Sequence, residues 1–230
     1  MLDGLRLVSL SHVNDPARMS VYPGDPPFEL TTVATLERDG FHLQAVRAGE
    51  HTGTHWGAPG HFAAGERLAD QLDPADLFRP AVKIDVRGRC AADTGYAVTV
   101  DDLRAWESRH GRIPADSVVI IWTGWESRFG TPEFAVHPGF APATARWLIE
   151  TGRLGERGGT GTDAFSPDVS TDTAFTVSKM VYRRRRISLE VLANLADLPA
   201  TGAYVLCGGQ INRAGSGSTA LIYGVLPPAG

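Results

Sequence analysis

Three of the seven histidines in this 230-residue sequence fall within residues 51–61. Imidazole is the commonest neutral metal ligand in proteins, and three converging imidazoles can hold zinc or a similar divalent ion with one position open for water. A metal ion held in this way lowers the pKa of that water and creates a hydroxide nucleophile. The spacing of His51, His55 and His61 therefore predicts a metal site, and the alternative is a polar loop whose Gly and Pro residues serve only turn geometry.

The segment that carries these histidines is predicted to be extended, because Gly53, Gly57 and two threonines disfavour a helix. Residues two apart in an extended chain point to the same side, which places His51 and His55 on one face with glycines leaving open space beside them. A turn at residues 59–60 would bring His61 back toward that face. Local geometry alone could thus make the three rings converge.

The rest of the chain interleaves strand and helix patterns without a linker or a repeat. Short apolar runs rich in β-branched residues predict strands at 5–10, 41–46, 81–86, 117–123, 203–206 and 221–225. Apolar stripes at helical spacing predict helices at 101–109, 141–150 and 189–196. The run 118–122 has no polar alternation, which predicts a strand covered on both faces. We therefore expect one α/β domain over residues 1–230.

Composition excludes several classes of function. With 43% hydrophobic and 21% charged residues the chain can form a core, and a net charge of −4 does not favour nucleic acid or anionic membranes as partners. No apolar run has the length of a signal peptide core or of a membrane span, so we expect a cytoplasmic protein. Cys90 and Cys207 are too far apart for a metal-binding pair. The basic run 183–186 is predicted to be a solvated turn rather than a phosphate site.

The stretch HTGTHWGAPGH at residues 51–61 resembles the HxGTHxDxPxH signature of the cyclase-like metal-dependent hydrolases. That family includes bacterial kynurenine formamidases, isatin hydrolases and some polyketide cyclases. Further segments resemble the family in the right order along the chain, at residues 21–28, 122–125 with 137–139, 161–168 and 190–195. The resemblance therefore covers most of the sequence.

The resemblance implies a compact α/β fold of the swivelling β/β/α type, a mixed sheet with packed helices, and a homodimer or homotetramer acting on a small-molecule substrate. It also implies metal ligands at His51, His55, His61 and Glu190. Two ligand positions of the family differ here, since Gly57 stands where the signature has Asp and Ser178 where a later His is expected. Gly cannot offset the charge of two neighbouring cations. One divalent ion, Zn²⁺ or Mn²⁺, is thus expected rather than two.

The family resemblance predicts a hydrolase that cleaves a small amide, lactam or lactone, with arylformamidase-like C–N hydrolysis as its model. His51 and His55 would anchor the metal, and His61 or Glu190 would complete its shell or act as general base to the metal-bound water. Two alternatives stay open: a metal-dependent cyclase of secondary metabolism, for which Gly57 would leave room, and a metal-free binding protein. Four aromatic residues could line the substrate pocket or pack in the core, namely Tyr22, Phe28, Trp56 and Trp125.

Overall fold

The structure is a computed structural model that describes residues 4–228, and these residues form thirteen strands and five helices. The strands are β1 Arg6–Ser9, β2 Glu29–Ala34, β3 Leu43–Arg47, β4 His55–Gly57, β5 Phe78–Asp85, β6 Ala97–Val98, β7 Val118–Trp122, β8 Gly139–Phe140, β9 Gly159–Thr162, β10 Ile187–Glu190, β11 Ala203–Cys207, β12 Gly217–Thr219 and β13 Ile222–Leu226. The helices are α1 Leu36–Asp39, α2 Arg87–Ala92, α3 Val100–His110, α4 Pro142–Glu150 and α5 Thr176–Val181.

Nine of these strands form one mixed sheet in the order β1-β13-β11-β5-β7-β9-β10-β4-β12. The four central strands β5, β7, β9 and β10 run parallel, and the strands at both ends are antiparallel to their neighbours. Outside this sheet, β2 pairs with β3 as a hairpin, and β6 pairs with β8. The prediction of a single α/β domain with a mixed sheet is confirmed.

The central strand β7 shows why the sheet is covered on both faces. Val119 and Ile121 pack into a core cluster that contains residues of α3, α4 and α5, whereas Val118 and Ile120 pack into a second cluster on the opposite face. All four side chains are fully buried. Burying each of them contributes about 1.5–3 kcal/mol to folding. The expectation that residues 118–122 form a strand covered on both sides is confirmed.

Two of the three predicted helices are confirmed. Helix α3 begins after Thr99, whose side chain accepts from the backbone N–H of Asp102 while the Asp102 carboxylate accepts from the Thr99 N–H, and it ends at Gly111, where φ is +85°. Helix α4 covers the predicted 141–150.

The helix predicted at 189–196 is wrong. Strand β10 ends at Glu190, Leu192 makes an isolated bridge to Ser11, and Leu195–Asp197 form only a short 3₁₀ turn. The apolar residues of this segment are buried on all sides, and a buried strand shows the same apolar run as a buried helix.

The basic run forms the turn that leads into β10, as expected. Two of its four arginines are nevertheless held against the protein. Arg185 pairs with Asp73 and Asp76, and Arg186 is 5% exposed and donates to the carbonyl oxygens of Leu154 and Gly155. No helix within residues 4–228 has the length and apolar character needed to cross a bilayer.

Candidate functional site

Antiparallel pairing of β4 with β10 brings a histidine and a carboxylate together. The register places His55 directly opposite Glu190, and Nε2 of His55 lies 3.2 Å from Oε2 of Glu190. Both side chains are buried. The contact is not a hydrogen bond, since the His55 nitrogen has no hydrogen-bond partner among the described residues.

The other two histidines of the cluster reach the same place through turns. Residues 51–54 are not extended, because Gly53 adopts a φ of +64° and reverses the chain before β4. The ring centroids of His51 and His55 are 5.0 Å apart. His61 lies at the end of a 3₁₀ turn, and its ring stacks on that of His51 at 3.9 Å. The structure thus brings His51, His55, His61 and Glu190 together.

Hydrogen bonds outside the cluster determine which ring nitrogens face it. Nδ1 of His55 donates to the Gly53 carbonyl at 2.8 Å, which leaves Nε2 as the ring nitrogen that faces the cluster. Nε2 of His51 donates to Oγ of Ser216 at 2.8 Å, because that hydroxyl in turn donates to Glu50. Nδ1 of His51 and Nε2 of His55 are buried and have no hydrogen-bond partner within residues 4–228. Such outer hydrogen bonds typically orient histidines that bind metals.

The charges of the cluster suit a cation. Burial, with the neighbouring His55 and His61, lowers the pKa of His51 to about 2, and desolvation in the cavity lowers the pKa of His61 below its ordinary value. Burial alone would raise the pKa of Glu190, but contact with His55 outweighs it and lowers that pKa to about 2. His51 and His61 are therefore neutral and Glu190 is anionic near pH 7, as metal ligands must be.

The donor set fits one divalent ion in its chemistry. No three His, Cys, Asp or Glu side chains in the described part of the chain already have the spacing of a metal site. Nε2 of His55 nevertheless lies 3.2 Å from the buried Glu190 carboxylate, and Nδ1 of His51, on a ring 5.0 Å away, is also buried without a partner. Polar atoms buried in this way need a cation or a proton between them. A metal ion would be held by His51, His55 and Glu190. His61 is more exposed, at the cavity.

Ser178 lies at the cavity, but its hydroxyl is engaged elsewhere. It donates to Asp168, whose carboxylate also accepts from the backbone N–H groups of Val177 and Ser178 at the start of α5. Burial raises the pKa of Asp168, although these hydrogen bonds oppose the shift. The expectation of a single metal ion stays a prediction, and Ser178 offers no imidazole for a second one.

The space beside Gly57 is filled by Tyr182. A Cβ added to Gly57 would lie 2.7 Å from Cε1 of Tyr182 and closer still to its hydroxyl. Tyr182 is fully buried, and its hydroxyl donates to Oε1 of Glu190 at 2.9 Å. The room that Gly57 would leave for a chelating substrate is therefore absent. Tyr182 lies outside every segment that resembles the family, so no sequence pattern marked it as a site residue.

A cavity of about 200 Å³ opens beside the histidines. Aromatic rings form one part of its wall. The ring centroids of Tyr22 and Phe165 are 5.7 Å apart, and those of Phe62 and Phe175 are 5.3 Å apart. Asp25, which the sequence analysis did not single out, also lines it. The cavity is smaller than the roughly 300–1,000 Å³ of pockets for drug-sized ligands. Its size suits a small molecule.

The four aromatic residues predicted to line the pocket are placed differently. Tyr22 lines the cavity, whereas Phe28 lines a separate one next to Glu50. Trp56 and Trp125 are buried in the core instead, at 0% and 2% exposure. Neighbouring residues on a strand point to opposite faces, so Trp56 must face away when His55 faces the cavity.

Comparisons with known proteins agree with this architecture. A family model described as "Putative cyclase" matches residues 8–169. Isatin hydrolase of Roseibium aggregatum is 31% identical over a 219-residue alignment, which covers 89% of this chain and 83% of the relative. Isatin hydrolase A of Labrenzia aggregata bound to benzyl benzoate superposes with a TM-score of 0.89 at 26% identity, covering 97% and 94% of the two chains.

A second solved structure contains a bound product analogue. The crystal structure of an isatin hydrolase with thioisatinate has a TM-score of 0.87 to this chain at 26% identity, and the match covers 97% of this chain and 93% of that one. The similarity therefore spans nearly the whole chain.

Proposed function

Since the chain belongs to the cyclase family of hydrolases, we propose that it hydrolyses the C–N bond of a small aromatic amide or lactam. The observation that carries this proposal is the pair of buried, unpartnered imidazole nitrogens of His51 and His55, in a cavity that Glu190 and aromatic rings also line. The isatin hydrolases give the substrate class, since isatin is a lactam fused to a benzene ring. An aryl formamide has the same bond between an acyl carbon and an aromatic nitrogen.

The aromatic wall supports a planar substrate. Rings at Tyr22, Phe62, Phe165 and Phe175 offer faces and edges against which a benzene ring can pack. The histidine cluster lies in the same cavity, so a substrate held by its ring would present its carbonyl to His51 and His55. The small volume favours one or two fused rings over a long polyketide chain.

A divalent ion held by His51, His55 and Glu190, Zn²⁺ or Mn²⁺, would polarise the carbonyl and lower the pKa of the attacking water. Glu190 supplies the negative charge that keeps a cation in the site. His61 faces the cavity and is neutral near pH 7, so its ring can accept the proton that the water loses. It can then pass that proton to the nitrogen as the C–N bond breaks, which balances the hydrolysis.

The test is hydrolysis of isatin and of an aryl formamide by protein loaded with Mn²⁺ or Zn²⁺. We expect turnover that a chelator abolishes and added metal restores. Turnover is measured as the loss of substrate absorbance. His55→Ala should lose both bound metal, measured by elemental analysis, and activity, because it removes a buried ligand. His42→Ala, at an exposed position outside the cavity, is the control. Metal content unchanged in His55→Ala would contradict the ligand assignment.

A further inference from the structure

The hydroxyl of Tyr182 occupies the space in which a side chain on residue 57 would lie. A Cβ on Gly57 would come within 2.8 Å of Cζ of Tyr182, and closer still to its hydroxyl. Atoms cannot approach so closely without a shift of the ring or of the strand. Gly57 is thus required by this tyrosine, and the two positions act as a pair although 125 residues separate them.

The Tyr182 ring is held firmly at this point. The residue follows α5 directly, has no exposed surface, and packs against Phe62 with a centroid distance of 5.2 Å and against His61 at 5.6 Å. A ring that is fixed on several sides directs its hydroxyl to one place. That place is Oε1 of Glu190, at 2.9 Å.

The two oxygens of the Glu190 carboxylate are therefore in different surroundings. Oε1 accepts from the Tyr182 hydroxyl, while Oε2 lies 3.2 Å from Nε2 of His55. The terminal torsion of a glutamate side chain is soft and has broad minima. A hydrogen bond to one oxygen from a fixed donor removes that freedom and sets the direction of the other oxygen.

We propose that Tyr182 is a positioning residue for Glu190: it occupies one carboxylate oxygen and so directs the other toward His55 as a single-oxygen metal ligand. The phenol is neutral, so it orients the carboxylate without adding a second negative charge to the site. This inference rests on the proposed metal-dependent function. It explains why Gly57 and Tyr182 occur together in this chain.

The test is calorimetric titration of Mn²⁺ into metal-free protein at one pH. Tyr182→Phe removes only the hydroxyl, and we expect it to raise the dissociation constant ten- to a hundred-fold, as loss of the partners of metal ligands typically does. One ion per chain should still bind. Tyr204→Phe is the matched control, since Tyr204 is exposed and stacks on Phe78 in another part of the sheet. An unchanged dissociation constant in Tyr182→Phe, or an equal loss in Tyr204→Phe, overturns the proposal.

The absorption spectrum of the Co²⁺-loaded protein gives a second readout. A changed carboxylate orientation alters the visible bands of the cobalt, so the spectrum of Tyr182→Phe should differ from that of the wild type, and an identical spectrum counts against the proposal. Where Tyr182→Phe fails to fold, Gly57→Ala takes its place, because its methyl group displaces the hydroxyl from Glu190. Wild-type affinity in Gly57→Ala overturns the proposal equally.

Turnover is scored separately from metal binding. Tight binding that depends on Tyr182, without hydrolysis of any C–N substrate, contradicts the proposed function and supports the role of Tyr182. Hydrolysis together with a metal affinity that Tyr182→Phe leaves unchanged supports the proposed function and contradicts the role of Tyr182. A wild-type protein that binds neither Mn²⁺ nor Zn²⁺ overturns both.

Discussion

His51 and His55 present different ring nitrogens to the cavity. His55 turns Nε2 inward because its Nδ1 donates to the Gly53 carbonyl, and His51 turns Nδ1 inward because its Nε2 donates to Ser216. Ser216 is held in turn by Glu50, which accepts from both its N–H and its hydroxyl. Burial raises the pKa of Glu50, but these hydrogen bonds and that from Asn212 lower it overall. Nδ1 of His51 and Nε2 of His55 are thus oriented before any ligand binds.

The role of His61 is tested by His61→Gln. A general base contributes roughly 10²–10⁴-fold to the rate, so kcat should fall by about that factor while metal stoichiometry is unchanged. The pKa of His61 lies below its ordinary 6.5, and the base works only when unprotonated. Wild-type activity should therefore fall with decreasing pH only below 6.5. His61→Gln should lose this acid limb of the pH–activity profile. His110→Gln, at the exposed end of α3, is the control, and an acid limb that persists in His61→Gln would refute the assignment.

Among the elements, the short strand β4 places the chemistry of the site. Its pairing with β10 on one side and β12 on the other fixes the register, so that His55 and Gly57 face the cavity and Trp56 faces the core. The Nε1 group of Trp56 donates to the Gly208 carbonyl on that core side. A slip of one residue would exchange these faces and bury the imidazole in the apolar cluster.

The packing of β4 against Tyr182 predicts coupling between two substitutions. Gly57→Asp alone should lower the free energy of unfolding, since overpacking costs about 1–3 kcal/mol and the carboxylate is buried. Tyr182→Ala empties that space. The double variant should therefore lose less free energy of unfolding than the sum of the two single losses, by roughly 0.5–3 kcal/mol. Denaturant unfolding of the metal-free proteins measures these free energies. Gly57→Asp with Tyr204→Ala should be additive, and additivity in both pairs would show that the two sites do not compete for space.

At the scale of the whole molecule, buried neutral histidines link stability to pH. His12 stacks on Phe129 at 4.0 Å, and its Nε2 is buried without a hydrogen-bond partner in the described structure. Burial lowers its pKa from 6.5 to about 4. The unfolded chain therefore binds a proton between pH 6.5 and 4 that the folded chain does not bind, and folding is disfavoured as the pH falls through this window.

We expect the free energy of unfolding to decrease from pH 6.5 to pH 4, with His12 contributing up to about 3 kcal/mol of the change. His12→Gln cannot titrate, so its stability should depend less steeply on pH in this window. His42→Gln, at an exposed position, should retain the wild-type slope. Denaturant unfolding at several pH values measures the slopes, and equal slopes for all three proteins would exclude His12 as a source of the effect.

The association state stays a prediction at this scale. A homodimer or homotetramer is expected from the family resemblance, and several large apolar side chains are exposed, among them Leu7, Phe78, Tyr204 and Leu206. Exposed apolar groups on one part of a sheet are often covered in an assembly.

From the sequence alone we predict the fold class, six of the thirteen strands, two helices and the clustering of three histidines. These features depend on side-chain chemistry and on the periodicity of apolar residues. Both can be read within one continuous segment of the sequence. The segment 189–196 shows the limit, because an apolar run buried on all sides has the same pattern in a strand as in a helix.

Three features of the site become visible only in the folded chain: Glu190 lies opposite His55, Trp56 and Trp125 belong to the core, and Tyr182 fills the space beside Gly57. Each of these depends on strand register and on packing between segments distant in sequence. Such contacts form because they lower the free energy of the complete fold, and a pattern within one segment does not predict them.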